Sequence, residues 1–333
     1  MKFENLLIKD LINIPSISGS EEKIGLFLCD LLESKGFTVN KIYVDETRFN
    51  VVARVGQPKI YLQAHMDTVP SHIPYSEDDD FIYGRGACDT KGSIAAMVTA
   101  AINCKKAGRN DFGLIFTTAE ETDFDGAKKI IAEELEIPFV IVGEPTSLQI
   151  VNAHFGLLVF VVIAKGKSAH SSKPEEGINA IELLLSTIKK IYVLEIHPDT
   201  ILTLAQISGG TADNIIPGEA HAVFSMRISP SDKQNYIENI KSILPEHVTI
   251  SQRLSVASVE AKVPSKLAFI KNVRPVKYST ELSFFKKGAV IGPGDVIYAH
   301  GPDEKLSKKE LSESVSIYAR IIDDFTSSKA PVT

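Results

Sequence analysis

Side chains that can bind a metal ion follow several apolar stretches of the sequence. Five strand-like or loop stretches, such as YLQAH and FVIVGE, end in His, Asp or Glu. The residues concerned are His65, Asp89, the pair Glu120 and Glu121, Glu144, and His300. Ligand sites in open α/β sheets form beyond the carboxyl ends of the strands. We therefore expect these side chains to meet at one edge of a sheet.

These residue types suit a hydrolytic metal site. Imidazoles and carboxylates without a thiolate are typical ligands of catalytic zinc, cobalt or manganese. Two imidazoles and three carboxylates fit two metal ions with one bridging carboxylate, which leaves two acids over. Asp67, two residues after His65, can accept the other ring N–H of that histidine. Of Glu120 and Glu121, one can bind metal while the other faces a water molecule as general base.

Each of these residues also has an ordinary structural interpretation. A His-x-Asp pair occurs as a simple hydrogen bond, and a Glu-Glu pair occurs as the solvated start of a helix. Asp89 could be the N-cap of a helix that begins near Gly92, and His300 could be a loop histidine. The combined pattern favours a metal site, because every one of these residues follows an apolar run.

The composition excludes several classes of protein. The chain has 333 residues and a net charge of −6, with both signs mixed along it, so no basic stripe for nucleic acid is present. It has no apolar run of about 18 residues, and its start, MKFENLLIKD, lacks the long apolar core of a signal peptide. Cys29, Cys88 and Cys104 are widely spaced and predict reduced thiols. We expect a cytoplasmic protein without a membrane span.

The first 150 or so residues alternate helical and strand-like signals. Ser18 stands three residues before Glu21, the spacing of a capping box, and the helix that follows should stop at Gly36. The stretch GSIAAMVTAAINCKKAG predicts a buried helix that ends at Gly108. Short continuous apolar runs predict strands that are covered on both faces. The pattern is that of an α/β layer domain.

The middle of the chain has a different organisation. Its signals follow a β-α-β-β-α-β order, which is that of a ferredoxin-like α+β sandwich. After about residue 262 the α/β pattern returns and ends in the helix KKELSESVSIYARIIDDF. We therefore predict one domain made of 1–153 and 262–333, with a second domain, 154–261, inserted into it.

The motifs HMDTVP, GRGACDTKG, TTAEE and VGEPTS resemble, in order and spacing, those of the M20 family of metallo-aminoacylases and metallopeptidases. The resemblance covers nearly the whole chain. It implies an α/β, mixed-sheet, zinc-aminopeptidase-like catalytic domain that binds two divalent metal ions, zinc first and cobalt or manganese as alternatives. It also implies that the inserted domain is a lid that forms a homodimer.

The resemblance assigns roles to the metal-binding candidates. His65 and Glu144 would bind one zinc, Glu121 and His300 would bind the other, and Asp89 would bridge both. The remaining acids are assigned in the same way. Asp67 would orient the first histidine, and Glu120 would be the general base. The Asp89–Thr90 peptide would be cis, as in relatives.

Three lid residues also match the family. His170, in GKSAHSSKP, would reach the active site of the partner subunit and stabilise the oxyanion, although by itself it could be a polar loop residue. Asn214 and Arg227 would hold the carboxylate of the substrate. Arg227 could instead pair with a local acid.

Within the family, GEPTSLQ, GKSAHSSKP and GPGDVIYAHGPDE look most like the deacetylases that convert N2-acetylornithine to ornithine and acetate in arginine biosynthesis. The expected partner is thus a small N-acyl amino acid. Phe155 stands where many relatives carry a cation, which favours a small neutral acyl group. Glu281 could face a substrate amine or be a solvent-facing acid. The alternatives are deacylation of acetylcitrulline, acyl-lysine or succinyl-diaminopimelate, an M20 dipeptidase, and a non-catalytic binding module.

Overall fold

The computed structural model describes residues 2–270 and 273–327. The helices are α1 (Phe3–Asn13), α2 (Glu22–Ser34), α3 (Lys91–Lys106), α4 (Asp125–Ala132), α5 (Ala180–Tyr192), α6 (Tyr236–Lys241) and α7 (Lys308–Thr326). The strands are β1 (Thr38–Tyr43), β2 (Phe49–Val55), β3 (Ile60–His65), β4 (Ser76–Glu77), β5 (Phe81–Tyr83), β6 (Phe112–Thr117), β7 (Val140–Val142), β8 (Ile150–His154), β9 (Gly156–Lys165), β10 (Ile201–Gly209), β11 (Glu219–Ile228), β12 (Val248–Val256), β13 (Val259–Glu260), β14 (Val273–Val276), β15 (Gly288–Val290) and β16 (Lys305–Ser307).

The chain forms two compact units. The α/β unit comprises Met1–Asn152, Ala261–Pro275 and Thr280–Thr333. The ferredoxin-like unit comprises Ala153–Glu260 and Val276–Ser279. The division into a catalytic domain, 1–153 with 262–333, and a lid and dimerisation domain, 154–261, stays a prediction. No helix among the described residues is both long enough and apolar enough to cross a bilayer.

A mixed sheet forms the centre of the α/β unit, as the sequence predicted. Its strand order is β1-β2-β6-β3-β7-β15-β8, and β6, β3, β7 and β15 run parallel to one another. Every residue of β3, β6 and β7 is buried, which explains why these strands read as continuous apolar runs. Because parallel strands end at the same edge of a sheet, the residues that follow them are brought together there.

Helix α3 is the buried helix that the sequence predicted. It packs against α1, α7 and β3, and almost all of its residues are inaccessible to solvent. A helix that is apolar on all sides belongs in the interior. Close packing also explains a glycine in the neighbouring strand β6. A Cβ atom on Gly113 would lie 2.3 Å from Cε1 of Tyr61, so a larger residue would displace that ring.

The ends of α2 agree with the sequence at one terminus and differ at the other. The predicted stop is confirmed: Gly36 has a φ of +76°, and its N–H donates to the carbonyl of Glu33 at 2.8 Å. The predicted capping box is wrong. Glu21 is itself the N-cap residue and makes no side-chain cap hydrogen bond. The side chains of Ser18 and Glu21 have other partners, which belong to the site described below.

The ferredoxin-like unit has the predicted order of elements, β9–α5–β10–β11–α6–β12. Its strands form an antiparallel sheet in the order β12-β9-β11-β10. Side chains of β9 alternate between buried and partly buried, as expected for a sheet that carries helices on one face. The rings of Phe160 and Phe224 stack at 5.1 Å within this core.

Candidate metal centre

The parallel strands of the α/β unit deliver the metal-binding candidates to one edge of the sheet. His65 is the last residue of β3 and stands opposite Thr117, the last residue of β6. Glu120 and Glu121 follow β6 within four residues, and Glu144 follows β7 within two. These side chains therefore lie at or just beyond the carboxyl ends of the strands, as expected from the sequence.

Asp89 lies between two histidines. Its Oδ1 is 3.0 Å from Nε2 of His65, and its Oδ2 is 3.3 Å from Nε2 of His300. The same nitrogen of His300 is 3.0 Å from Oε1 of Glu121. Ligand atoms of His65, Asp89 and Glu121 all lie within 4.8 Å of one another. One carboxylate oxygen thus faces each imidazole, which is the arrangement that a bridging carboxylate needs.

The distances in this cluster test whether the residues fit metal ions. Two ligand atoms at about 2.0–2.1 Å from one tetrahedral zinc lie about 3.3 Å apart. The contacts of Asp89 and Glu121 with the histidines, 3.0 to 3.3 Å, are close to that separation. Oε1 of Glu144 is buried and has no hydrogen-bond partner among the described residues. A buried carboxylate oxygen without a donor is costly unless a cation faces it. The donor set fits two divalent ions.

The carboxyl groups of this cluster have strongly shifted pKa values. Burial raises the pKa of Glu120 well above its ordinary 4.5, and the nearby carboxylates add to the rise against the opposing effect of His65. Burial and the charge of Asp89 likewise raise the pKa of Glu144. Burial would also raise the pKa of Asp89, but hydrogen bonds from His300 and His65 outweigh it and lower that pKa. Several carboxyl groups thus lie close together, and a bound cation would stabilise their ionised forms.

Neighbouring carboxylates also raise the pKa values of the two histidines. Hydrogen bonds to Asp89 and then Glu121 raise the pKa of His300 to about 10. Burial alone would lower the pKa of His65. Its hydrogen bonds to Asp67 and Asp89 outweigh that effect and raise this pKa well above 6.5. In the absence of metal, both rings therefore favour the protonated form, so metal binding must displace protons from them.

Asp67 holds the loop that carries Glu120 and Glu121. Its Oδ1 accepts the backbone N–H of Glu120 at 3.0 Å, and its Oδ2 accepts that of Glu121 at 3.1 Å. The hydroxyl of Ser18 donates to Oδ2 at 2.7 Å. Nδ1 of His65 lies 2.9 Å from the backbone carbonyl oxygen of Asp67 and 3.5 Å from its carboxylate. The carbonyl is thus the nearer partner of the ring, and the role of Asp67 in orienting His65 stays a prediction.

A second buried acid holds the preceding amide of that loop. Oε1 of Glu21 accepts the backbone N–H of Ala119, a residue with a φ of +60°, at 3.2 Å. Two carboxylates, Glu21 and Asp67, therefore bind three consecutive amides just before and within the Glu120–Glu121 pair. This is the physical reason why Ser18 and Glu21 do not cap α2.

The peptide between Asp89 and Thr90 is cis, which confirms the prediction. The hydroxyl of Thr90 donates to the carbonyl of His65 at 3.0 Å. The alternative interpretation of Asp89 as a helix N-cap is wrong, because Thr90 occupies the N-cap position of α3. Glu120 and Glu121 are not the start of a helix either, since α4 begins at Asp125.

Glu281 is not a solvent-facing acid, so that alternative from the sequence is wrong. Its side chain is 0 % exposed and lies on the 3₁₀ turn Glu281–Phe284. Its Oε2 accepts hydrogen bonds from the hydroxyl of Thr117, at 2.7 Å, and from the amide of Gln63. Burial raises the pKa of Glu281 to about 7. The apolar neighbours in STELSFF were the signal for burial.

His170 and Asn214 are adjacent in the ferredoxin-like unit. A β-bridge joins His170 to Ile215, and the N–H of Ser171 donates to the carbonyl of Asn214 at 3.0 Å. Nδ1 of the exposed His170 ring accepts the backbone N–H of Ser172 at 3.2 Å. Both contacts of the ring with Ser172 use Nδ1, so Nε2 is the nitrogen that can donate to another group.

Arg227 lies on β11 of the same unit. Its Nη1 donates to the hydroxyl of Ser279 at 3.4 Å, and that hydroxyl donates to the carbonyl of Phe155 at 2.9 Å. Phe155 is only 7 % exposed, so its side chain packs within the protein. The roles of Asn214 and Arg227 toward a substrate carboxylate stay predictions.

Sequence reasoning missed the acids that bind backbone amides around the site. Glu21 and Glu304 are each 1 % exposed although they lie in loops. The sequence carried a weak signal only for Glu304, which stands four residues after the metal candidate His300.

The chain is similar to known peptidases in sequence and in fold. Residues 61–324 match the model of Peptidase family M20/M25/M40. A probable carboxypeptidase of Aspergillus flavus is 33% identical over 371 aligned positions, which cover 94% of this chain and 88% of that protein. The aminopeptidase PepT of Bacillus cereus has the same fold, with a TM-score of 0.82 at 20% identity over 98% of both chains.

An M20 family metallo-carboxypeptidase of Sulfolobus solfataricus also shares the fold. Its TM-score is 0.78 at 15% identity, with 98% of this chain and 100% of that chain covered. At these identities, similarity to the two solved structures shows the fold alone. The family model and the Aspergillus relative go further, because they match the sequence that carries the metal candidates. The chain therefore belongs to peptidase family M20/M25/M40 and is a hydrolase of that family.

Proposed function

We propose that this protein is a two-metal amide hydrolase that releases an α-amino acid with a free carboxylate from its N-acyl form, with N2-acetylornithine as the expected substrate. The single observation that supports the proposal most is the Asp89 carboxylate, which directs one oxygen at His65 and the other at His300. Membership of the M20/M25/M40 family supports hydrolysis of an amide or peptide bond.

The proposed ligands divide into two sets that share one residue. His65, Asp89 and Glu144 would hold one divalent ion, and Asp89, Glu121 and His300 would hold the other. Zinc is expected from the ligand types, with cobalt or manganese as alternatives. When bound, such a pair of ions polarises the scissile carbonyl and lowers the pKa of a water molecule.

Glu120 is the proposed general base. Its carboxylate takes a proton from the attacking water as the new bond from oxygen to the acyl carbon forms. It then gives this proton to the amine nitrogen as the C–N bond breaks, which yields the free acid and the amino acid. Two features support this role. Its backbone N–H is fixed by Asp67 at 3.0 Å, and its carboxyl lies close enough to His65, Glu144 and Glu121 to interact with their charges.

His170 is the proposed donor to the oxyanion. Because both of its contacts with Ser172 use Nδ1, Nε2 is the nitrogen that can donate to the negative oxygen of the tetrahedral intermediate. We propose that it serves the site of a second copy of the chain, with the ferredoxin-like unit as lid and as the contact of a homodimer. Asn214 and Arg227 would bind the carboxylate of the amino acid, a group that a guanidinium matches well.

The two candidate activities, deacetylation and peptide hydrolysis, differ in the acyl group that is removed from the amino acid. The motifs GEPTSLQ, GKSAHSSKP and GPGDVIYAHGPDE favour a deacetylase of the kind used in arginine biosynthesis, in the cytoplasm. The relative named a probable carboxypeptidase favours a short peptide instead. Both reactions release an amino acid with a free carboxylate, so the same residues serve either one.

The test is product release from a panel of substrates. N-acetylornithine, N-acetylcitrulline, N-acetyllysine, N-succinyl-diaminopimelate and a dipeptide are each incubated with metal-free protein and with zinc- or cobalt-loaded protein. Metal-dependent release of acetate, fastest from N-acetylornithine, is the expected result. Fastest hydrolysis of the dipeptide would make the protein a peptidase with the same mechanism. Absence of hydrolysis with two metal ions bound would refute the catalytic proposal and favour a binding module.

A further inference from the structure

We infer that Glu304 and Arg85 are positioning residues of the metal centre: together they fix the backbone of Asp89 to the loop of His300 and so set the affinity for the ion that these two ligands share. The inference rests on the metal-binding part of the proposed function. Neither residue is a metal-ligand candidate, and both are buried, with exposures of 1 % for Glu304 and 5 % for Arg85.

Glu304 binds the peptide segment that leads into Asp89. Its Oε1 accepts two consecutive backbone N–H groups, those of Cys88 and Asp89, each at 3.1 Å. The same segment is held from the other side, where the hydroxyl of Thr90 donates to the carbonyl of His65 at 3.0 Å. The Cα of Asp89 is therefore fixed on both sides, which leaves its carboxylate few orientations.

Arg85 connects Glu304 with the loop of His300. Its Nη1 donates to Oε2 of Glu304 at 2.7 Å and to the carbonyl of Gly301 at 3.3 Å. Its Nε donates to the carbonyl of Ser71 at 3.0 Å. One guanidinium thus contacts the acid that holds Asp89 and the residue that follows His300. The two ligands are far apart in sequence, and this contact sets the distance between them.

A purely stabilising role does not account for this ion pair. Burying a carboxylate and a guanidinium is costly because both ions lose their hydration, and a well-packed apolar pair is often at least as stable. Apolar side chains, however, accept no backbone N–H groups and fix no direction. Groups that orient metal ligands typically change metal affinity by about 10- to 100-fold when they are substituted. Orientation of Asp89 and His300 is the property that only the charged pair supplies.

The experiment measures metal binding, without substrate, on the full-length chain. Metal-free wild type, Glu304→Gln and Arg85→Lys are titrated with Co²⁺ by calorimetry, and the visible absorption of the bound Co²⁺ is recorded. In Glu304→Gln, we expect the affinity for the second Co²⁺ to fall by about 10- to 100-fold. The absorption spectrum should also change, because the geometry around the ion changes.

Arg85→Lys separates the effect of the positive charge beside Glu304 from the effect of the guanidinium geometry. Lysine keeps a positive charge beside Glu304 but loses the second nitrogen, Nε, which binds the carbonyl of Ser71 and so fixes the direction of Nη1 toward Gly301. We therefore expect a weaker second Co²⁺ with the first affinity retained. This variant also keeps the inference testable if Glu304→Gln does not fold.

Asp232→Asn is the matched control. Asp232 is an acid with 5 % exposure in the ferredoxin-like unit, and its Oδ2 accepts the hydroxyls of Thr200 and Tyr236 at 2.6 Å each. Its loss should lower the melting temperature and leave both Co²⁺ affinities unchanged. Folded Glu304→Gln and Arg85→Lys proteins that bind both ions with wild-type affinity and spectrum would overturn the inference. A wild type that binds two ions but hydrolyses no substrate would refute the proposed function instead.

Discussion

The buried carboxyl of Glu281 makes the stability of the metal-free protein depend on pH. Its side chain is 0 % exposed. Its Oε2 has two donors, the hydroxyl of Thr117 and the amide of Gln63, whereas Oε1 has no partner among the described residues. Burial is the largest effect and raises the pKa of Glu281 from 4.5 to about 7.

The direction of the effect follows from the two pKa values. Below pH 4.5 the carboxyl is protonated in both the folded and the unfolded chain. Between pH 4.5 and 7 the unfolded chain releases the proton and the folded chain keeps it, so the free energy of unfolding falls as the pH rises. A difference of one pKa unit corresponds to about 1.4 kcal/mol, so the loss is complete above pH 7 at about 3 kcal/mol.

Glu281→Gln should remove this fall in the free energy of unfolding with rising pH. A glutamine amide has the shape of the protonated carboxyl, and its oxygen can accept the same two donors. We expect the variant to match the wild type near pH 4.5 and to exceed its free energy of unfolding by up to about 3 kcal/mol at pH 8. For a unit of this size, that is a gain of about 6–12 °C in melting temperature. The assay is thermal unfolding from pH 4.5 to 8 with a chelator present, because a bound cation would stabilise the ionised carboxylate.

Thr117→Val provides the control. It removes the hydroxyl that donates to the ionised Glu281 at 2.7 Å, so it should deepen the loss of stability with rising pH. In the Glu281→Gln background the same substitution should leave the pH dependence unaltered. Wild type and Glu281→Gln with parallel melting curves from pH 4.5 to 8 would refute the reasoning, since the titrating group would then lie elsewhere.

Three further substitutions test other parts of the structure. Glu120→Gln should lower kcat by about 10²–10⁴-fold with both metal ions retained, measured by kinetics and metal content; loss of metal would contradict its role as base rather than ligand. His170→Ala should lower kcat by about 10²–10³-fold, and an unchanged kcat would make it an ordinary loop residue. Gly113→Ala would place a Cβ atom 2.3 Å from the ring of Tyr61 and should destabilise the protein by about 1–3 kcal/mol, seen as a lower melting temperature. An unchanged melting temperature would contradict the close packing of this strand pair.

The sequence predicted the location of the metal candidates because that location depends on local order. An apolar run that ends in a polar residue marks the end of a buried strand, as His65 does for β3 and Glu144 for the strand that precedes it. Parallel strands then collect these ends at one edge, whatever the details of packing. The stop of α2 at Gly36 was predictable for a similar reason, since a positive φ is a local property that glycine adopts without strain.

The partners of the buried acids were not predictable in this way. Ser18 and Glu21 have the spacing of a helix cap, yet in the fold they bind Asp67 and the amide of Ala119. From the sequence, Glu281 could face a substrate amine or solvent, and the position of Glu304 near His300 did not indicate its hydrogen bonds to Cys88 and Asp89. Each of these contacts joins residues that are distant along the chain.

The difference has a physical cause. Periodicity and chain ends are encoded by neighbouring residues, and they determine which elements form and where polar side chains leave them. The pKa and the orienting role of a buried carboxylate depend on the donors and charges that surround it in space. The sequence alone therefore determined which residues could bind metal, and only the tertiary structure decided which acids hold those residues in place.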